Sequence, residues 1–299
     1  MRTLAAACLL LLAALAQAQE LEPRSYVNTP VGMNFLVVGL GYLDGDVLPD
    51  PATQLENAKV ESLLPALAYA HAIALFGRSG KLDVVLPFAC LDGSTLYRGQ
   101  EFERDVCGWG DPSAKLSLNL FGAPALELEE LPGYRQDLIV GVGVRIGAPL
   151  GEQDGDKLLN PGANRWWIKP EIGASKALGP LVLEVIGAAA IFGDNDDFYG
   201  HVKREQEPVY SLQGHVVWNF RGGAWAALDA AGYTGGRTTT DGVRGDDLQR
   251  NSRLGATLAW PLGRQHSLKL HASSGVSTHR GGDFDAIAVA WQYRWGGGL

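Results

Sequence analysis

Beyond residue 18 the chain has no run of about 18 uncharged apolar residues, so no part of it is suited to cross a bilayer as a helix. The nearest approach, Leu181 to Phe192, is short and carries Glu184 near its start. Charge is scarce as well. Asp, Glu, Lys and Arg make up 19% of the residues, and a formal net charge of −8 leaves no basic footprint for nucleic acid. Cysteine is nearly missing: beyond Cys8 there are only Cys90 and Cys107, and neither has a His or Cys neighbour at metal-ligand spacing, which argues against zinc. There is no Gly-Xaa-Ser-Xaa-Gly elbow, phosphate loop or metal-spaced His cluster, so no cofactor is implied. No fixed repeat or low-complexity tract stands out.

What the chain has in excess is glycine, 39 residues, alongside 46% hydrophobic residues. That combination fits a β-rich protein with many turns better than an α/β enzyme. Residues 1–18 read as a secretory signal: Arg2 supplies the positive start, Leu4 to Leu15 the apolar centre, and Ala16-Gln17-Ala18 the small-x-small cleavage site. Too few residues precede Cys8 for a lipoprotein signal, so the mature chain is expected to begin at Gln19.

Residues 285–295 show the pattern that recurs along the chain. Ile287, Val289, Trp291, Tyr293 and Trp295 fall on one face, and Ala288, Ala290, Gln292 and Arg294 on the other, the period of two of a strand with one apolar side. Twelve such stretches are expected, at about 33–43, 60–75, 81–90, 114–121, 137–146, 164–175, 181–192, 208–220, 224–233, 253–260, 267–273 and 285–295. The connections after the first, third, fifth, seventh and ninth strands are long and polar. Those after the second, sixth, eighth and tenth are tight turns, and the acidic stretch 122–136 breaks the rule. Aromatic residues sort by strand end: Phe76, Phe121, Trp218, Phe220, Trp225, Trp260 and Trp295 near the short turns, Tyr42, Trp166, Trp167, Phe192 and Tyr233 near the long loops. An even strand count, one rim of short turns and two aromatic girdles together predict an all-β transmembrane antiparallel β-barrel of a Gram-negative outer membrane. Residues 19–32 form a periplasmic N-terminal segment that can instead enter the lumen as a small plug; the barrel takes 33–295, and 296–299 is a tail.

The chain resembles the outer-membrane transporter-like family named after the meta-pathway of phenol degradation. The resemblance rests on residues 164–173 (NRWWIKPEIG), 192–198 (FGDNDDF), 204–217 (REQEPVYSLQGHVV), 236–244 (GRTTTDGVR) and 251–256 (NSRLGA). It implies a β-barrel at the outer membrane and passage of small molecules, aromatic ones among them. Such barrels usually end on an aromatic residue; here Gly296-Gly-Gly-Leu299 follows Trp295.

If the apolar faces meet lipid, the charges on the opposite faces point into the lumen: Arg145, Lys169, Glu171, Glu184, His215, Asp229, Lys269, His271 and Arg294. Two readings stand side by side, a pore wall that selects by size and charge, and an internal network that holds a narrow barrel in shape. Cys90 and Cys107 flank one long loop in an oxidising compartment, either disulfide-bonded or free. Asp194-Asn-Asp-Asp197 offers oxygen ligands for Ca²⁺ but lacks the glycine and distant glutamate of an EF-hand, so a solvated acidic loop is the simpler reading. The resulting expectation is a channel for passive uptake of small molecules rather than an enzyme. Its partners would be outer-membrane lipid, lipopolysaccharide and a small solute. The alternatives are a lipid or ester hydrolase using His271 and Ser273, whose orienting carboxylate would be Asp283 or Asp285, and a closed structural or adhesive barrel.

Overall fold

In lipid every backbone polar group must be paired within the protein, so a spanning sheet has to close on itself. The computed structural model describes residues 21–50 and 55–299; the expected signal peptide, with Gln19 and Glu20, lies outside them. The strands are β1 (Met33–Leu48), β2 (Leu55–Leu75), β3 (Arg78–Tyr97), β4 (Gln100–Trp109), β5 (Ser113–Phe121), β6 (Leu138–Gly147), β7 (Trp167–Leu178), β8 (Leu181–Phe192), β9 (Asn195–Phe198), β10 (Val202–Gln206), β11 (Val209–Asn219), β12 (Trp225–Gly235), β13 (Thr238–Thr240), β14 (Val243–Arg244), β15 (Gln249–Pro261), β16 (His266–Ser277) and β17 (Gly281–Gly296). Each long strand pairs antiparallel with the next long strand. β1 pairs with both β17 and β2, which closes twelve strands into a barrel. The small sheet β14-β13-β10-β9 sits in the long loops.

The outside is apolar because alternate residues must face acyl chains. Val38, Leu40, Leu67, Leu82, Leu116, Ile172, Leu183, Leu212, Leu258 and Val289 are all exposed there. Phe76, Phe121, Trp218 and Phe220 are exposed at the short-turn rim, and Tyr42, Trp109, Trp166 and Tyr210 at the other. Four aromatics expected in the girdles belong to the interior. Trp167 and Tyr233 are buried, Phe192 packs behind the guanidinium of Arg165 at 4.4 Å, and Trp225 lies under Arg24 at 5.1 Å. Height along a strand does not decide the face; parity does, and all four share the parity of the lumen residues.

Several stretches expected as loops continue as strand. β3 and β4 form a hairpin rising above the point where β5 leaves β3, with Cys90 opposite Cys107 and disulfide-bonded, S–S 2.00 Å. At this height the pattern inverts. Outward positions carry Asp44, Glu61, Asp92 and Asp105, while the inner side packs Val47, Val60, Ala89, Leu91 and Phe284 against Leu159 of the loop 148–166. Polar residues outside and apolar residues inside are what a sheet shows once it has left the bilayer.

The stretch 122–137 is long because it runs along the short-turn rim instead of turning back. Ser79 N donates to Ala123 O and Ala125 N to Gly77 O, each at 3.1 Å, and Val31 N donates to Leu126 O at 2.9 Å. It thereby reaches from β5 past the β2–β3 turn to Val31, two residues before β1.

Candidate functional site

The lumen is built by the residues that alternate with the lipid-facing ones, and their size divides it in two. On β5, β6, β7, β8, β11, β12 and β15 they include the buried charges. Here Lys115, Lys169, Glu171, Glu184, His215 and Asp229 are each less than a tenth exposed. Midway along β17, β1 and β2 many are small and half-buried: Gly39 stands between Ala290 and Ala66, Gly41 between Ala288 and Leu64, and Ala68 beside Val37.

The polar half is buried because a segment of the chain lies against it. Residues 21–31, expected in the periplasm with the lumen as alternative, run inside the barrel. The Glu22 carboxylate takes Lys115 Nζ at 2.6 Å and Arg145 Nη2 at 2.8 Å. Arg24 N donates to Glu184 Oε2 at 2.6 Å, and Arg24 Nη1 to Asn219 Oδ1 at 3.0 Å. Tyr26 Oη donates to Glu171 Oε1 at 2.8 Å, and Lys115 Nζ also reaches that carboxylate at 2.9 Å. Gly141 and Gly173 make room for the Tyr26 ring: a Cβ on either would lie within 2.4 Å of it. Leu21 reaches furthest, packing near Val209, Ala231 and Tyr233. The physical cause of this docking is plain. A buried charge is tolerated only when paired, and the segment brings an acid to two cations and N–H and O–H donors to two acids.

The expected lumen residues therefore separate. Arg145, Glu171 and Glu184 hold the segment directly. His215 and Asp229 pair with each other, Nδ1 to Oδ1 2.7 Å, and the row continues through Thr257 Oγ1 to Asp229 at 3.1 Å and to His271 Nδ1 at 3.0 Å. His215 Nε2 has no hydrogen-bond partner among the described residues. Lys169 is buried near Glu22, and Lys269 projects, exposed, from the lumen face of β16. Arg294 sits at the short-turn mouth, its Nε donating to Arg264 O at 2.8 Å. Sequence reasoning missed Lys115, Glu22 and Tyr26. The alternation of β5 put Lys115 on the polar face, but nothing local marks which lumen charges will meet the N-terminal segment.

A small polar cavity of about 30 Å³, room for a water or two, separates the segment from β3 and β5. Arg24, Ser25, Thr29, Lys81, Ser117 and Asn119 line it.

Above the lumen, the loops form a roof. Asp111 is buried and accepts from Gly151 N at 2.9 Å and Ala163 N at 2.8 Å; burial pushes its carboxyl up, against those two bonds. Arg165 binds Gln206 Oε1, and burial, reinforced by nearby Arg204, pushes its guanidinium down to about 9. In the acidic loop Asp194 pairs with Lys203 at 2.7 Å and Asp197 with His201 at 2.6 Å. Among the described residues no three His, Cys, Asp or Glu side chains converge as a metal site. Ser273 Oγ accepts from Arg253 Nη1 at 2.8 Å, while the His271 ring meets Thr257, so His271 and Ser273 do not form the hydrogen-bonded pair a hydrolase would need.

Comparison with known proteins agrees with this architecture. Residues 46–291 match the model of the family described as "Putative MetA-pathway of phenol degradation". Among solved structures, an outer membrane channel from Pseudomonas putida F1 superimposes with a TM-score of 0.78 at 22% identity, over 92% of this chain and 100% of that one. The transport unit of the autotransporter AIDA-I from Escherichia coli gives 0.57 at 9% identity, over 94% and 95%. The β-domain of the Bordetella autotransporter BrkA gives 0.52 at 9%, over 89% and 100%. These likenesses concern the fold. No curated protein sequence matches.

Proposed function

The chain belongs to the family described as "Putative MetA-pathway of phenol degradation", and from that premise we propose that it is an outer-membrane channel giving small molecules a passive route. The route runs along the crescent between the N-terminal segment and the Gly/Ala wall of β17, β1 and β2. One observation carries this reading: the lumen residues of that wall are small and half-buried, whereas those opposite are covered. Similarity to an outer membrane channel from Pseudomonas putida F1 supports it. The solute is small and apolar or aromatic. The uncharged Gly and Ala positions of that wall suit such a molecule better than an ion, while Val47, Val60, Leu91, Leu159 and Phe284 are packed together above it and buried.

Two measurements test this. Planar bilayers holding the purified chain should show discrete conductance steps. Liposomes containing it should swell faster in phenol-sized solutes than in disaccharides. Silence in both would leave a closed barrel whose long loops do the work.

A further inference from the structure

The outer wall carries a groove that passage through the lumen does not use. Near the extracellular ends of β11, β12 and β15 the outward side chains thin out. Gly232 stands in register between Leu212 and Ser252, and a Cβ added to it would meet nothing within 4 Å. The resulting depression measures about 480 Å³, is mostly apolar, and is bounded by Tyr210, Leu212, Thr234, Arg250 and Ser277. Ligand clefts are of this size, roughly 300–1,000 Å³. Because the barrel spans a bilayer, the groove opens on acyl chains.

Its extracellular end is positive. Arg250 is exposed and has no ion-pair partner among the described residues. Arg280 lies in the loop above and does not line the groove; its carbonyl accepts from the buried Asn251 Nδ2 at 2.7 Å. Its guanidinium donates to the carbonyls of Asp246 at 3.2 Å and His279 at 3.0 Å. The neighbouring wall has the opposite sign. Asp285, Asp44, Glu61, Asp92 and Asp105 face outward and lie directly across from one another on β17, β1, β2, β3 and β4. A phosphate is repelled along that row and attracted at Arg250, where guanidinium geometry suits two of its oxygens at once.

We propose that the groove binds a phosphorylated, multiply acylated glycolipid of the outer leaflet, the lipid A part of lipopolysaccharide. One acyl chain would lie over Gly232, with a phosphate on Arg250. The proposal rests on the outer-membrane reading above but not on conduction.

The test uses the full chain in detergent and measures lipid binding by native mass spectrometry. Diphosphoryl lipid A, dephosphorylated lipid A and phosphatidylglycerol are the probes. Diphosphoryl lipid A should bind most tightly. Arg250→Gln should weaken it about tenfold, as for loss of one charge-assisted hydrogen bond. Gly232→Leu, which fills the groove at a position with space for a side chain, should do the same, and neither variant should alter bilayer conductance. Unchanged affinity in either variant, or phosphatidylglycerol binding as tightly as diphosphoryl lipid A, overturns the proposal. A chain that conducts nothing yet shows this lipid pattern sinks the channel reading alone. One that conducts and lacks the pattern sinks the groove alone.

Discussion

The two halves of the lumen use the same strand pattern and the same lipid-facing exterior, yet they differ in what they point inward. From β5 to β15 the inward residues include the charges Lys115, Arg145, Glu171 and Glu184, and the segment 21–31 is held on them. Midway along β17, β1 and β2 many of them are Gly and Ala, which are half-buried and not covered by the segment. Buried ions cost several kcal/mol each unless paired, so the charged half needed a counterpart, and the N-terminal segment supplies one. The Gly and Ala positions offer no such partner groups; on that side Gly32 N, just past the segment, donates to Ala72 O at 2.9 Å. Charge inside this barrel marks where chain is held, and passage is left where side chains are smallest.

Glu22→Ala tests that division most severely. It removes the acid shared by Lys115 and Arg145, leaving Lys115 with Glu171. Breaking such a pair costs about 3 kcal/mol, a shift on the order of 100-fold toward an undocked segment. Single-channel conductance should rise to the level of a chain lacking residues 21–31; conductance equal to that of the unaltered protein would mean the segment does not restrict the lumen. Tryptophan placed in each half comes next. Ala288→Trp has open lumen to enter, so it should cut conductance by more than half while thermal stability holds. Ser175→Trp on β7 meets a position with no exposure, where overpacking costs about 1–3 kcal/mol or more, so it should lower the unfolding temperature. Equal behaviour of the two variants would erase the distinction between the halves.

How much of this could be read beforehand depends on whether a residue lay within the bilayer. There the alternation of β6, β11, β15 and β17 assigned faces correctly, because a lipid-facing error is costly. Above the bilayer that constraint disappears. The upper parts of β1 and β3, with all of β4, read as polar loop because Asp44, Asp92 and Asp105 occupy outward positions of the kind that lower down hold leucine. Trp167 and Tyr233 misled for a related reason: an aromatic near a strand end matches a girdle whichever way it points. The nine charges expected in the lumen sit at positions that alternate with the exposed apolar ones. Their pairing with Glu22, Arg24 and Tyr26 spans roughly 120 to 160 residues of sequence, a distance over which periodicity carries no information.

The mildest test concerns Lys269, an exposed charge on the lumen face of β16, the strand beside the Gly/Ala wall. Its side chain faces water, where a charge at contact distance acts on an ion by about 1 kcal/mol, about fivefold in local occupancy. Lys269→Glu should therefore move the reversal potential in a salt gradient toward that of a cation-preferring pore, more at low ionic strength than at high. Lys169→Gln on the covered wall should leave selectivity where it was, since Lys169 is 3% exposed and no passing ion comes near it. If the covered lysine proved the more influential of the two, the route would run along the charged wall and the Gly/Ala crescent would be mere packing space.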